Sequence, residues 1–254
     1  MREEKTGIRW DKVIGLITIV AILVLAAMIT MDFRPNEMTE HNSSGEEKQE
    51  QLLENENVSS SVEKKVTVCI DAGHGGTDTG FKSGGVYEKT QTLIMAQKVQ
   101  KALESRNVSV VMTRTADVSV SDEERVRICN EADSAAIVSI HRNYYEGTAN
   151  VYGAEAWIHT LAPEDSKSLA GGILVNLQKS ADEDNRGVKT GTAADSTRDY
   201  YINQKSKCAS CVLELGFISS PADNALVTTN SDAAAKAIAD GILEYLKTMG
   251  YING

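Results

Sequence analysis

Three short apolar runs constrain the fold of this chain more than any other feature: KVTVCID at 65–71, AAIVSIH at 135–141 and SCVLELGF at 210–217. Each reads as a strand, and helical spacing fills the intervals between them. Residues 88–105 place Leu93, Ala96, Val99 and Leu103 on one helical face. Ser121 precedes Glu124 by three positions, a capping-box spacing, and opens a helix to about Ala132. Another helix covers 164–180. Ser231 is expected to cap the last one, whose face is Ala235, Ile238, Ile242, Tyr245 and Met249, with Gly250 as its stop. VSVVMT (108–113) and GAEAWIHT (153–160) read as further strands, Pro221 as the opening of a short helical turn, and DEDNRGVKTGTAADST (182–197) as an exposed loop. Near-continuous apolar strands alternating with helices are covered on both faces. They predict an α/β domain of three layers with a largely parallel central sheet.

The domain begins at about residue 63. Before it, residues 13–31 run for 19 positions without a charge, enough helix to cross a bilayer. Arg2, Lys5, Arg9 and Lys12 precede this stretch, and only Arg34 follows within fifteen residues. That asymmetry predicts a cytoplasmic N-terminus at 1–12, a transmembrane anchor at 13–31 and everything later outside the cell membrane. A cleavable signal peptide is the competing reading, but its apolar core is usually shorter and a small-x-small cleavage site is lacking. Residues 32–62 hold eight acidic and two basic residues and are expected to form an acidic flexible linker. From Lys65 onward, 19 basic and 24 acidic residues leave a mild charge of −5. No basic run interleaved with aromatics suggests a nucleic-acid surface.

Cys208 and Cys211 form a CASC pair, but a four-thiolate zinc site needs a second close pair, and Cys69 and Cys129 are sixty residues apart. Small buried thiols are the expectation for all four, with disulfides left open.

The polar residues at the strand ends carry the chemistry. His74 follows the first run, His141 ends the run at 135–141, and Glu214 lies inside the last one. Open α/β sheets bind ligands at the carboxyl ends of their strands, so these three converge on one edge. The glycines of GHGGTDTG let backbone approach a metal or substrate closely, while the phosphate-binding patterns GxxxxGK[ST] and GxGxxG are absent. Two histidines favour zinc, which in catalytic sites takes three protein ligands and leaves one position for water. Asp71, Asp78, Glu88 and Glu155 are the candidate carboxylates for the third place. A glutamate inside an apolar strand is costly without a partner or a function, which singles out Glu214. Asp71 and Asp78 are expected to brace the loop, Arg114 and Arg125 to pair with carboxylates or helix ends, and Asn143 to orient substrate or stabilise a turn. His159 and His41 have no supporting neighbours.

Five segments in order, IDAGHGGTDTG, VYEKTQTLIMAQKVQKAL, MTRTAD, RVRICNEADSAAIVSIHRN and CVLELGFISSPADNALV, resemble the zinc-dependent N-acetylmuramoyl-L-alanine amidases. These bacterial cell-wall enzymes detach stem peptides from peptidoglycan. The resemblance runs from about Lys65 to the C-terminus. It implies His74, Glu88 and His141 as ligands of a Zn2+ cofactor, Glu214 as the acid/base residue, and peptidoglycan as the substrate partner; the membrane is the partner expected of the N-terminal helix. Arg142 stands where the family usually has a small residue, which bears on substrate preference, and Cys129 where alanine is common. The alternatives are another zinc hydrolase of the cell wall, a peptidase or deacetylase, or an inactive wall-binding scaffold on the same fold.

Overall fold

The first apolar run becomes β1 (Thr67–Ala72), and the two later ones become β5 (Ala136–Asn143) and β8 (Ala209–Phe217). In the computed structural model these strands lie side by side at the centre of one sheet; the structure describes residues 65–147 and 151–253. With β4 (Ser109–Met112), β6 (Ala154–Ile158) and β7 (Asn185–Thr190), the sheet order is β4-β1-β5-β8-β6-β7. Every neighbouring pair is parallel except β6 with β8, so the sheet is mostly parallel with a reversed two-stranded flank. A two-stranded hairpin, β2 (Lys82–Ser83) and β3 (Val86–Tyr87), sits apart from it.

Residues alternate across the sheet because the side-chain period of a strand is two. Ile70, Val138 and Leu213 face α1 (Glu88–Glu104), α3 (Glu164–Ala181) and α5 (Ser231–Thr248), forming the larger core. Cys69, Ile137 and Val212 face the other way, under α2 (Asp122–Glu131) and the short α4 (Tyr201–Lys205). This second layer is thinner, and past its edge the strand ends open into the cleft described below.

The three-layer expectation holds, and four local readings change. Residues 185–190 form β7, the sheet's edge strand, where an exposed loop was expected. Only one apolar residue, Val188, marks it, and an edge strand paired with β6 alone needs no more. Ser231 does not cap α5; Asn230 takes that position, and the Ser231 hydroxyl donates back to the Thr228 carbonyl at 2.8 Å. At α2 the Ser121 hydroxyl accepts from Glu124 N at 3.3 Å, but Glu124 turns its carboxylate to Arg127 and leaves half of the capping box unmade.

The fourth change concerns the thiols. Cys69 of β1 and Cys129 of α2 are joined in a disulfide, whereas Cys208 and Cys211 are free. Burial pushes both free thiols up to about 12, so neither is a thiolate at neutral pH. No helix among the described residues is long and apolar enough to cross a membrane, and the anchor expected at 13–31 and linker at 32–62 lie outside those residues.

Candidate metal centre and catalytic cleft

The loop that leaves β1 answers why histidine sits among glycines. His74 adopts φ 61°, a left-handed conformation that side-chain-bearing residues rarely occupy. Two buried arginines hold it there. Arg125 donates to the His74 carbonyl at 2.7 Å and to the Ala72 carbonyl at 2.8 Å, while Arg114 donates to the carbonyls of Ala72 and Gly73, each at 2.8 Å. A Cβ at Gly73 would lie 2.4 Å from the His141 ring, and one at Gly80 2.5 Å from Glu88 Oε2. Both glycines are therefore required by close approach to other candidate site residues.

His74, Glu88 and His141 meet at the carboxyl ends of β1 and β5. Glu88 is the first residue of α1, and His141 lies two residues before the end of β5. His74 Nε2 lies 3.0 Å from Glu88 Oε1, and His141 Nδ1 lies 3.1 Å from each of those atoms. The three donors thus make a nearly equilateral triangle. Ligands about 2.0–2.1 Å from one tetrahedral ion are roughly 3.3 Å apart, so the triangle would need to widen by only a few tenths of an ångström to hold zinc. Two imidazoles and one carboxylate are also the donor set of an open, catalytic zinc site. Asp78 Oδ2 lies 2.8 Å from His74 Nδ1 and turns the Nε2 lone pair inward. Glu88 is fixed further by the amides of Phe81 and Arg142, both at 2.9 Å. Burial opposes charge on Glu88, but its bonds to His141 and His74 hold the carboxyl well below the usual carboxylate range. Burial likewise opposes protonation of His141, yet the bond to Glu88 prevails and raises it to about 9. A divalent ion held here would take the place of the protons that otherwise bridge these donors.

Of the four carboxylates weighed for the third place, only Glu88 reaches it. Asp71 lies underneath with its oxygens taken by Thr113 (2.5 Å), Ser139 (2.5 Å) and Arg125 (2.6 Å). Asp78 serves His74, and Glu155 is bonded elsewhere on the sheet. Glu214 stands beside His141 in the β5–β8 pairing, and its Oε2 is buried without a hydrogen-bond partner among the described residues. Burial, with help from the charges of Glu88 and Glu155 and against that of His141, lifts its carboxyl to about 7. A cleft of about 320 Å³ opens beside the two histidines, lined by His74, His141, Asp71, Arg125, Ser121 and Tyr200 among others.

Residues 68–244 match the sequence profile of the N-acetylmuramoyl-L-alanine amidase family. This chain belongs to that family. Membership makes the amidase a peptidoglycan hydrolase acting on the amide between N-acetylmuramoyl groups and L-alanine. It is 35% identical over 182 residues to YqiI of Bacillus subtilis, covering 70% of this chain and 84% of that one. It is 32% identical over 185 residues to LytH of Staphylococcus aureus, a protein named as a probable cell wall amidase; the match spans 70% of this chain and 58% of LytH. The solved amidase AmiC2 of Nostoc punctiforme superposes with a TM-score of 0.65 at 32% identity, over 72% of this chain and 97% of that one.

The remaining candidate residues of the amidase find structural partners. Arg125 pairs with Asp71 as expected, while Arg114 binds the loop carbonyls of Ala72 and Gly73 and, at the expected helix end, the Lys89 carbonyl in the first turn of α1. Asn143 takes the local role weighed for it: its Oδ1 accepts from the next amide, Tyr144 N, and its Nδ2 donates to Glu155. His159 braces its own turn through Leu161 N and pairs with Asp199; His41 lies outside the described residues. Arg142 points to the opposite face of the sheet from the cleft, donating to Gln91 at 2.6 Å and Asn224 at 3.1 Å. Burial pulls its guanidinium down to about 10, against the nearby charges of Asp223 and Glu183. It ties the helix that carries Glu88 to the loop that follows Glu214. Tyr200 is a residue that strand-end reasoning missed. Its phenol, raised by burial and by the carboxylates of Glu214, Glu155 and Glu88, hangs over the cleft from an irregular segment with no periodic signal.

Proposed function

We propose that the protein is a zinc-dependent amidase in which His74, Glu88 and His141 hold the ion and Glu214 moves the protons. The ion supplies Lewis acidity toward the amide carbonyl and increased acidity of an attacking water. Glu214 accepts the proton of that water and passes it to the departing alanine nitrogen, since an amide nitrogen leaves only once protonated. Burial raises that carboxyl above its ordinary value, which makes it a stronger base toward the water proton. Asp78 and Arg125 keep His74 in register, and Arg142 keeps the two halves of the cleft together. The observation that carries this reading is the buried, unpartnered Oε2 of Glu214 beside the donor triangle.

The apolar stretch at 13–31 is read as a membrane anchor with the catalytic domain outside the cell membrane. The Cys69–Cys129 disulfide supports that side of the membrane, because such bonds persist in oxidising compartments.

Mass spectrometry of purified peptidoglycan treated with the zinc-loaded protein tests the reaction. Release of intact stem peptides with an N-terminal alanine is the expected result. Peptides cut internally, or glycans that have lost acetyl groups, would place the enzyme among the peptidases or deacetylases. Fractionation with membranes, and release of the domain by protease added from outside, test the topology.

A further inference from the structure

Beyond Glu214 the sheet carries a polar group that hydrolysis itself leaves unused. Glu155 on β6 stands opposite Glu214 in the antiparallel pairing and is 2% exposed. Its Oε2 accepts from both Arg186 Nε at 2.8 Å and Lys189 Nζ at 2.5 Å, and its Oε1 from Asn143 Nδ2 at 3.1 Å and Trp157 Nε1 at 3.2 Å. The carboxylate is saturated, whereas the cations are not. Two positive charges share one negative charge, leaving a net +1 beside the catalytic glutamate. Arg186 lies over the Phe217 ring and Lys189 over the Trp157 ring, contacts that fix the cations sideways and consume none of their N–H groups. Of the eight N–H donors that this pair offers, three meet acceptors among the described residues: two on Glu155 and one on the Tyr152 carbonyl. Both side chains stay about one-third exposed, at 36% and 33%.

The direction of the substrate follows from the chemistry. A leaving nitrogen must end near the acid that protonates it, and that acid is Glu214. The departing peptide therefore runs from the donor triangle across Glu214 and onward in the sheet order β5-β8-β6-β7. The cationic ends gather at Glu155, one to two strand spacings past Glu214, roughly 5–10 Å. An extended peptide advances about 3.3 Å per residue, so its second residue passes over them.

We propose that Arg186 and Lys189 form a carboxylate-binding subsite that selects stem peptides bearing a free carboxylate on the second residue after the scissile amide. Glu155 is the positioning residue of this subsite. It holds two like charges together before the ligand arrives, so that little side-chain freedom is lost on binding. The proposal rests on the amidase reading above, because that reading sets which way the peptide lies.

The probe is the tripeptide L-alanyl-γ-D-glutamyl-L-lysine with its C-terminus amidated, which leaves one carboxylate, on the second residue. Its counterpart carries a carboxamide there. Calorimetric binding of both to the zinc-loaded protein, wild type and Lys189→Gln, is measured beside kcat and KM for the same pair linked to N-acetylmuramic acid. The wild type is expected to bind the carboxylate form about tenfold more tightly, the loss typical of one charge-assisted hydrogen bond. Lys189→Gln and Arg186→Gln should each bring that ratio within about twofold, and Lys189→Arg should retain it with an unchanged melting temperature. Equal binding of the two peptides by the wild type, or a ratio untouched by both glutamine variants, overturns the subsite. Peptide binding needs no turnover, so a preserved preference with no hydrolysis of either muramoyl substrate overturns the amidase reading and leaves the subsite standing.

Discussion

Glu214 and Gly73 show how much of this site rests on single side chains. Replacing Glu214 by glutamine keeps the shape and removes the proposed base. Turnover is expected to fall by about 10²–10⁴-fold, with zinc content by atomic absorption unchanged. Loss of the metal in that variant would instead make Glu214 a ligand and the site a closed one. Gly73 has no chemistry, yet alanine there meets the His141 ring at 2.4 Å. The ring must yield, because the other side of the contact is backbone pinned by Arg114. Gly73→Ala should weaken zinc binding by about tenfold or more while the melting temperature moves little, a split that chelator competition beside a thermal melt resolves. An equal loss in both would mean that the loop, and not the ligand, had been disturbed.

At the scale of elements, the disulfide joins the strand that delivers His74 to the helix that delivers Arg125. Cys69 precedes Asp71 by two residues and Cys129 follows Arg125 by four, so the bond brackets the ion pair between them. It closes a span of 60 residues, for which chain entropy gives about 4 kcal/mol. Reduction, or Cys129→Ala, should therefore lower the melting temperature by on the order of 10 °C; a shift within 2 °C would show that the reduced chain is held as well by packing alone. The sequence did not announce this bond, because the pairing depends on how α2 docks and not on any spacing between the cysteines. β7 was hidden for a related reason: an edge strand facing solvent needs few apolar residues, so its composition imitates a loop. The central strands and long helices were legible, since their apolar periodicity is the same quantity that buries them. His74, His141 and Glu214 were legible for their place at strand ends. Glu88 was separable from Asp71, Asp78 and Glu155 only by family resemblance. All four are carboxylates near strand or loop ends, and only the three-dimensional partners of the other three remove them.

At the scale of the whole molecule, Asp71 couples stability to pH. Burial raises its carboxyl, but the Arg125 charge and the hydroxyls of Ser139 and Thr113 outweigh that and hold it below its ordinary value. A group depressed on folding contributes its full stability above the unfolded pKa of about 3.9, and loses it as pH falls through the lower folded value. Asp71→Asn should therefore destabilise the protein at neutral pH by about 3–5 kcal/mol, the cost of leaving Arg125 buried without its partner. It should also flatten the acid limb of a stability–pH curve below about pH 4. Parallel acid limbs for variant and wild type would assign acid unfolding to other groups.

β7 closes the sheet on one side, and an edge strand offers unpaired backbone groups to any other chain in solution. Charge on such a strand, together with the irregular pairing around Gly187 at φ 88°, keeps two copies from zipping together. Arg186 and Lys189 thus guard solubility from the same positions at which they meet Glu155. Neutralising both should make the protein self-associate at concentrations where either single variant stays monomeric, an outcome that sedimentation velocity at rising concentration reads directly. Substrate preference in this amidase would then be open to retuning at either position alone, whereas changing both would also alter its colloidal behaviour.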